Sequence, residues 1–424
     1  MSEVNYKFHK YQTKMNNISD PSKKNIYLQK MKYYLNLEEK VPTKNLKKPE
    51  PLKMKYERNI NIMNPINTIG YGVMKEGELL QPISFERRPL RKHDVLIEIY
   101  FCGVCHTDWH IILNEWKNST YPVVAGHEMT GIVLEVGSSV TKFKKNSKVA
   151  LTPNYNSCRI CERCNDREEQ YCLNGATHIY NANDRLVEEE KRNVKPTGPT
   201  TYGGYSNLMV VDEYFLFSLP EGMPMDRSAP LLCAGLTMYT PIKNLKIKEG
   251  QKLGIAGIGG LGHLGIKIGK AFGARVTALT TTLWKLKDSK RLGADESILV
   301  KDTIQMKKNE NTLDFIIDTI PFAHDLNPYI NLLKTKGILY IIGPLFPQIA
   351  DYSNIIPNGK VIMGSNTGGT FDTEEMLKFC STNNILPEIN IISFEELNGT
   401  HDELIKSSEK AKYRFVIDVS SIYK

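Results

Sequence analysis

Lys252-Leu253-Gly254-Ile255-Ala256-Gly257-Ile258-Gly259-Gly260-Leu261-Gly262-His263-Leu264 is the stretch on which the fold turns. Its first residues form an apolar run with the character of a buried strand. The spacing Gly257-x-Gly259-Gly260-x-Gly262 follows at once, and Leu264 to Phe272 continues with helical character. Glycines at this spacing permit a tight turn, let a pyrophosphate approach the backbone, and allow the helix to pack closely on the strand. The helix N-terminus then faces the phosphates. A bare glycine motif is weak, but one placed after a strand and before a helix predicts a dinucleotide site at Gly257, Gly259, Gly260 and Gly262. Outward from it, Arg275–Leu279, Phe315–Asp318 and Ile338–Gly343 read as further strands with helical segments between. Repeated strand–helix alternation predicts a doubly wound parallel sheet, a Rossmann domain over residues 234–370.

The stretch after the second strand bears on which dinucleotide is held. A site for NAD usually carries a carboxylate there, about 20 residues beyond the glycines, to bind the ribose diol. This chain has Ala278-Leu279-Thr280-Thr281-Thr282-Leu283-Trp284-Lys285, with no carboxylate. Three hydroxyls and a lysine would accept a 2′-phosphate that an aspartate would repel. Thr280, Thr281, Thr282 and Lys285 are therefore the candidates for NADP(H) recognition.

Upstream the texture is β-rich. His93–Tyr100 alternates and is β-branched, and Ile132–Gly137 and Met209–Asp212 read similarly. They predict an antiparallel, barrel-like domain over residues 63–233. Within it Cys158, Cys161, Cys164 and Cys172 follow C-x2-C-x2-C-x7-C, in a lobe at residues 155–175. Short gaps aim several sulfurs at one centre and the longer gap closes a tetrahedron. Four thiolates leave no position for a substrate, so the reading is a structural zinc. Crowding in a large chain without an export signal disfavours disulfides. Spacing alone does not separate zinc from an iron–sulfur cluster.

A second set of ligand types lies in separate fragments: Cys102-Gly103-Val104-Cys105-His106-Thr107-Asp108-Trp109-His110, Gly126-His127-Glu128 and Leu232-Cys233-Ala234. A catalytic zinc needs about three protein ligands and one open position. Each fragment alone is weak, because a lone Cys or His is most often packed structure. Cys102 is read as core.

Taken with Thr201-Tyr202-Gly203-Gly204-Tyr205-Ser206, Pro230–Gly235, Gly257–His263 and the ending Tyr413–Val419, these fragments resemble the zinc-dependent medium-chain alcohol dehydrogenases, in the cinnamyl-alcohol-dehydrogenase-like branch. The resemblance runs from about Asn64 to the C-terminus. It implies a GroES-like catalytic domain interrupted by the Rossmann domain, with residues 371–424 returning to the first, and an active site in the cleft between them. It implies a catalytic zinc on Cys105, His127 and Cys233, with Glu128 able to enter as an extra ligand, so that each chain carries two zinc ions. Asp108 would orient His127. Thr107 would take the alcohol proton and pass it through the cofactor ribose to His110. Serines or threonines with a lysine after the second strand accompany NADPH in this branch. Trp116 falls where the family lines its substrate pocket, and an indole there would narrow it. The implied reaction is reversible oxidation of a primary alcohol to an aldehyde, with aldehyde reduction favoured by a reducing cellular pool, in a homodimer joined through edge strands. Ala125 stands where family members often have proline.

The whole chain has 424 residues and a formal charge of +8, all of it in residues 1–62, where 14 Lys/Arg face 6 Asp/Glu. The remainder holds 41 basic and 41 acidic residues, which gives no basic bias toward nucleic acid. Residues 1–62 read as a flexible basic extension with one amphipathic helical segment over Lys23–Lys40, and its partner is unknown. Residues 181–200 include a charged surface loop. No apolar run of membrane-spanning length and no secretory core is present, so the chain reads as cytoplasmic. The rival readings are an NAD-linked polyol or secondary-alcohol dehydrogenase, and a non-catalytic nucleotide-binding protein that holds a partner through its basic tail.

Overall fold

The computed structural model describes residues 60–185, 198–343, 350–406 and 413–423. The helix expected over Lys23–Lys40, nearly all of the extension, and the charged segment 186–197 lie outside the described residues. The chain divides into two compact units. One is Thr237–Asn366; the other runs to Leu236 and resumes at Thr367.

The first unit is built on a six-stranded sheet. Its order is Glu296–Leu299, Arg275–Thr280, Lys252–Ala256, Leu313–Asp318, Leu333–Ile341 and Val361–Gly364, and every neighbouring pair is parallel. Numbered along the chain this is 3-2-1-4-5-6, the Rossmann order. Apolar runs such as Leu253–Ala256 and Ile316–Ile317 are buried because helices cover both faces of such a sheet. The strand order reverses between Lys252–Ala256 and Leu313–Asp318, and the glycine turn leaves the first of these at its carboxyl end. Helix Gly262–Ala271 follows.

The second unit holds a seven-stranded sheet around the long strand Asp94–Val104. That strand pairs antiparallel with Met129–Val136, Leu208–Asp212 and Arg414–Asp418. Register shifts between Leu96 and Ile97 and between Ile99 and Phe101 let it bend and serve three partners. Its alternating Val95, Ile97 and Ile99 side chains are buried, as are Val104 and Cys102 at its end. A two-stranded ribbon, Ile66–Gly72 with Gln81–Arg87, packs Ile66 against Leu96, Leu208 and Val210. The neck of the 181–200 segment is closed by a bridge between Asn183 and Thr200. Among the described residues no helix is long and apolar enough to cross a membrane.

Candidate active site

Strand Asp94–Val104 delivers Cys105 to the N-cap of the short helix His106–Ile112. Asp108, in the first turn, accepts the Cys105 backbone N–H at 2.9 Å. This buried carboxylate is saturated: one oxygen accepts from Gly126 N–H at 3.0 Å and faces His127 Nδ1 at 2.9 Å. The other also accepts the Tyr205 hydroxyl at 3.0 Å. The Tyr180 hydroxyl lies 3.1 Å from the same His127 nitrogen. With Nδ1 engaged by the Asp108 carboxylate, Nε2 is left to face Glu128 Oε1 at 3.9 Å.

The ligand types then converge. Donor atoms of Cys105, His127, Glu128 and Cys233 all lie within 4.8 Å of one another. Cys233 arrives from the turn Ala229–Leu232, far along the chain. His127 and Glu128 are 2% and 0% exposed, which is costly for such groups unless a counter-charge is near. Arg414, itself buried, provides one at 3.1 Å from Glu128 Oε1. It is placed there by the pairing of Arg414–Asp418 with the end of Asp94–Val104. Glycine at position 103 is required because a β-carbon would overlap the Glu128 carboxylate.

These groups set one another's protonation. The hydrogen bond from Cys233 pulls the Cys105 thiol well below its usual range against the effect of burial, helped by Arg414 and His127. Cys233 is pushed up correspondingly. Burial drives His127 down, but the charge and hydrogen bond of Asp108, with Cys105, outweigh it and the net shift is upward. Burial raises Glu128 to about 7 in spite of Arg414. A hydrogen-bonded, partly deprotonated thiol pair beside one imidazole is the donor set that suits zinc. Because Arg414 and Glu128 form a buried pair, removing one partner leaves an uncompensated charge. Arg414→Met is expected to lower the unfolding free energy by about 3–5 kcal/mol in a urea titration. The double variant with Glu128→Gln should lose less than Arg414→Met alone.

The other residues singled out from sequence are placed as follows. Thr107 Oγ1 sits 3.7 Å from Cys105 Sγ. His110 is 7% exposed, and its Nδ1 lies 2.5 Å from Glu115 Oε2. Trp116 lies against His110 with ring centroids 5.0 Å apart and planes tilted by 30°. Cys102 is fully buried, as expected of core. Glu115, Tyr180, Tyr205 and Arg414 were not identified from sequence. Tyr205 and Arg414 stood inside quoted motifs, and Glu115 follows His110 by five residues, but no local pattern assigned them a partner.

Cys158, Cys161, Cys164 and Cys172 also have their sulfurs within 4.8 Å of one another. Cys158 and Cys164 sulfurs are 3.8 Å apart, the edge of about 3.8 Å that a tetrahedron with ~2.3 Å zinc–sulfur bonds requires. Backbone N–H groups of Cys161 and Cys158 donate to the Cys158 and Cys172 sulfurs, each at 3.4 Å. Such donors favour thiolates, and Cys158 is lowered to about 6 although burial opposes this. Arg159 ties the lobe to the sheet, pairing with Asp212 at 2.8 Å and lying over the Tyr214 ring.

In the nucleotide unit Gly257 has φ +86°, and a β-carbon there would press on Thr319 and Ile320. Gly260 lies in the same turn. At Gly262 a β-carbon would collide with the Gly257 carbonyl, while at Gly259 it would meet nothing within 4 Å. Thr280 is buried at its strand end, and its oxygen accepts the Thr282 N–H at 3.2 Å. Thr281 is exposed, and Thr282 is the N-cap of helix Leu283–Arg291. Lys285, 6% exposed, lies 5.4 Å from the Trp284 ring centroid. Burial lowers its pKa to about 8 although Asp288 opposes the shift.

Two family models match the chain: the alcohol dehydrogenase GroES-like domain over residues 91–221 and the zinc-binding dehydrogenase over residues 260–382. Cinnamyl alcohol dehydrogenase 2 of Rauvolfia serpentina is 40% identical over 86% of this chain and 98% of its own. The "Probable zinc-type alcohol dehydrogenase-like protein" of Acanthamoeba polyphaga mimivirus is 40% identical over 97% of both chains, so its similarity extends into the N-terminal extension. Among solved structures, a cinnamyl alcohol dehydrogenase from Sorghum bicolor superposes with a TM-score of 0.78 at 38% identity, covering 84% of this chain and 98% of its own. The enzyme of the same name from Helicobacter pylori, complexed with NADP(H), gives 0.76 at 34% identity, covering 84% and 99%. With the Rossmann strand order, the GroES-like unit and both clusters in place, this chain belongs to the zinc-dependent medium-chain alcohol dehydrogenases, in their cinnamyl-alcohol-dehydrogenase-like branch.

Proposed function

We propose that this oxidoreductase interconverts a primary alcohol and its aldehyde with NADP(H), working mainly as an aldehyde reductase, and that each chain carries two zinc ions. The observation that carries the reading is the meeting of Cys105, His127, Glu128 and Cys233, from three distant parts of the chain, around one point. Cys105, His127 and Cys233 would hold the catalytic ion and Glu128 would stand beside it, held back by Arg414. Cys158, Cys161, Cys164 and Cys172 would hold the structural one. When bound, the catalytic zinc supplies Lewis-acid polarisation of a carbonyl or hydroxyl oxygen.

The chain's own residues supply the rest. Asp108 and Tyr180 fix the His127 ring, so that Nε2 faces the other ligands. The Thr107 hydroxyl donates a proton in aldehyde reduction and accepts one in alcohol oxidation. His110 replenishes that proton; Glu115 at its Nδ1 fixes the tautomer in which Nε2 exchanges it. Trp116, packed against that imidazole, would limit the width of the substrate and disfavour bulky ring-substituted aldehydes. Val361, Ile362 and Met363 on the outermost strand are 41%, 37% and 40% exposed, which supports a homodimer formed by pairing of that edge.

An NADPH-consumption assay across a panel of aldehydes tests the function, and turnover of none of them would contradict it. Lys285 adds a signature. Its pKa of about 8 in the free protein means that the ammonium is present below that pH and lost above it. Attraction for a 2′-phosphate should follow the same course, and kcat/KM reports the free enzyme. The ratio of kcat/KM for NADPH to that for NADH is expected to fall about tenfold between about pH 7 and 9.5. Lys285→Ala should flatten the profile at the low value. Equal values for the two nucleotides throughout would overturn the NADP(H) assignment.

A further inference from the structure

Glu115 and Trp116 sit on the stretch of turn and loop that joins helix His106–Ile112 to Val123. The backbone path there is an unusual one: Asn114 and Lys117 are both left-handed, at φ 52° and 58°. Asparagine is at home in that region, but lysine is not. Such a path persists only where its surroundings fasten it. Part of the fastening is local. Asn114 Oδ1 accepts the Ser119 N–H at 3.1 Å, and the Ser119 and Tyr121 hydroxyls donate to the Ile111 and Ile112 carbonyls at 2.6 and 2.9 Å.

Two side chains from elsewhere complete it. Asn181 follows Tyr180, whose hydroxyl lies at the His127 imidazole. Its Oδ1 accepts the Thr120 N–H at 2.7 Å, and its Nδ2 donates to the Asn118 carbonyl at 3.1 Å. Both ends of one amide are thus spent on the main chain of the loop. Asn181 is itself left-handed, at φ 53°, and its own N–H donates to the Thr201 carbonyl at 3.2 Å. The second side chain comes from the turn after strand Ile66–Gly72. Val73 and Val123 exchange backbone hydrogen bonds of 2.9 Å, which brings that turn to the loop. Glu76 Oε2 accepts from Asn114 Nδ2 at 2.7 Å, and Oε1 lies 3.6 Å from Lys117 Nζ. The Lys117 side chain is 70% exposed, so the ion pair adds little and the bond to Asn114 is the one that restrains. Glu115 and Trp116 are therefore bracketed between Asn114, tied to Glu76, and Asn118 to Thr120, tied to Asn181.

We propose that Asn181 and Glu76 are positioning residues that lock this loop in the shape presenting Trp116 to the substrate and Glu115 to His110, so that discrimination by aldehyde size is set from outside the site. This rests on the reading of Trp116 as a wall of the substrate pocket. A fixed indole excludes a bulky ring, whereas an indole on a loosened loop swings aside. The same loosening lets Glu115 drift from His110, and a displacement of about 1 Å can cost on the order of 10²-fold in rate. The loop, Glu76 and Asn181 all belong to one compact unit, and the glycine turn belongs to the other.

The test uses the zinc-loaded full chain with NADPH and two probes, benzaldehyde and 3,5-dimethoxybenzaldehyde. Asn181→Gly removes the amide and keeps a left-handed backbone without strain. It should raise the ratio of kcat/KM for the substituted aldehyde to that for benzaldehyde about fivefold, mainly through a lower KM for the larger one. The kcat for benzaldehyde should fall about threefold as Glu115 drifts. Glu76→Ala should shift the ratio in the same direction. Glu76→Gln keeps an oxygen for Asn114 and gives up only the charge, so it should stay within about twofold of wild type. Zinc content, and NADPH affinity by fluorescence titration, should be unchanged in all three. If Asn181→Gly does not fold, the contrast between Glu76→Ala and Glu76→Gln carries the test. A wild-type ratio in Asn181→Gly and Glu76→Ala, equal effects of Ala and Gln at position 76, or loss of zinc alongside turnover would each overturn the proposal. Trp116→Leu tells this failure from that of the reading beneath it. A raised ratio in Trp116→Leu with wild-type values in the other variants overturns the positioning role alone, and an unchanged ratio in Trp116→Leu removes the pocket wall itself.

Discussion

Cys105→Ser is expected to empty the Cys105–His127–Cys233 cluster and to lower kcat/KM for aldehyde reduction by about 10³–10⁵-fold, the equivalent of the several kcal/mol a metal supplies to a developing negative oxygen. The thiol at this position is drawn down by the hydrogen bond from Cys233 and by the charges of Arg414 and His127. A serine hydroxyl in the same field remains protonated and is a poor ligand for a borderline-soft ion. The glycine turn and Lys285 lie in the other compact unit, so NADPH affinity by fluorescence titration should stay within about threefold of wild type. Loss of turnover with nucleotide binding retained is the expected pattern. Wild-type turnover in Cys105→Ser would contradict the assignment.

Cys164→Ser acts on stability. The buried cluster of the 158–172 lobe is Cys158, Cys164 and Cys172, with Cys161 and Ala176 packed against it, and no large apolar side chain belongs to it. The structural zinc proposed above would supply the missing cohesion, since such sites contribute on the order of 10–16 kcal/mol of apparent binding energy in small peptides. That rivals the whole stability of an ordinary domain. Loss of the ion would free Arg159 from Asp212 and loosen Glu169, which accepts from the Tyr214 hydroxyl at 2.7 Å and from Thr370 N–H at 2.8 Å. Damage should therefore spread to the start of helix Thr370–Thr382. Thermal unfolding should shift down sharply, and limited proteolysis should cut first between residues 158 and 172. A variant lacking one zinc with wild-type melting and protease resistance would show that the lobe needs no metal.

The parts of this molecule that were legible from sequence share a physical property: their partners are close along the chain. The spacing of Cys158, Cys161, Cys164 and Cys172 encodes a tetrahedral knuckle within 15 residues. The Gly257–Gly262 turn is flanked by its own strand and helix, and the strand–helix alternation around it implied the parallel sheet. Cys105, His127 and Cys233 were different. Each is an ordinary residue in isolation, and only resemblance to a family grouped them before the structure brought their donor atoms within 4.8 Å. Arg414 and Glu128 lie almost 300 residues apart in the chain; their pairing depends on which strand adds to the end of Asp94–Val104, which no local periodicity encodes. Tyr205 reaching Asp108, and Glu115 reaching His110, depend on side-chain direction. Thr280, at the end of its strand, accepts the Thr282 N–H, a contact set by how the chain turns there and not by residue type.

Zinc stoichiometry by elemental analysis of the full chain, purified under zinc-replete conditions alongside Cys105→Ser, tests the central claim most directly. Two equivalents per wild-type chain and one in the variant are what the two clusters predict. A folded wild-type chain without zinc, or a Cys105→Ser chain that retains both equivalents, would contradict it.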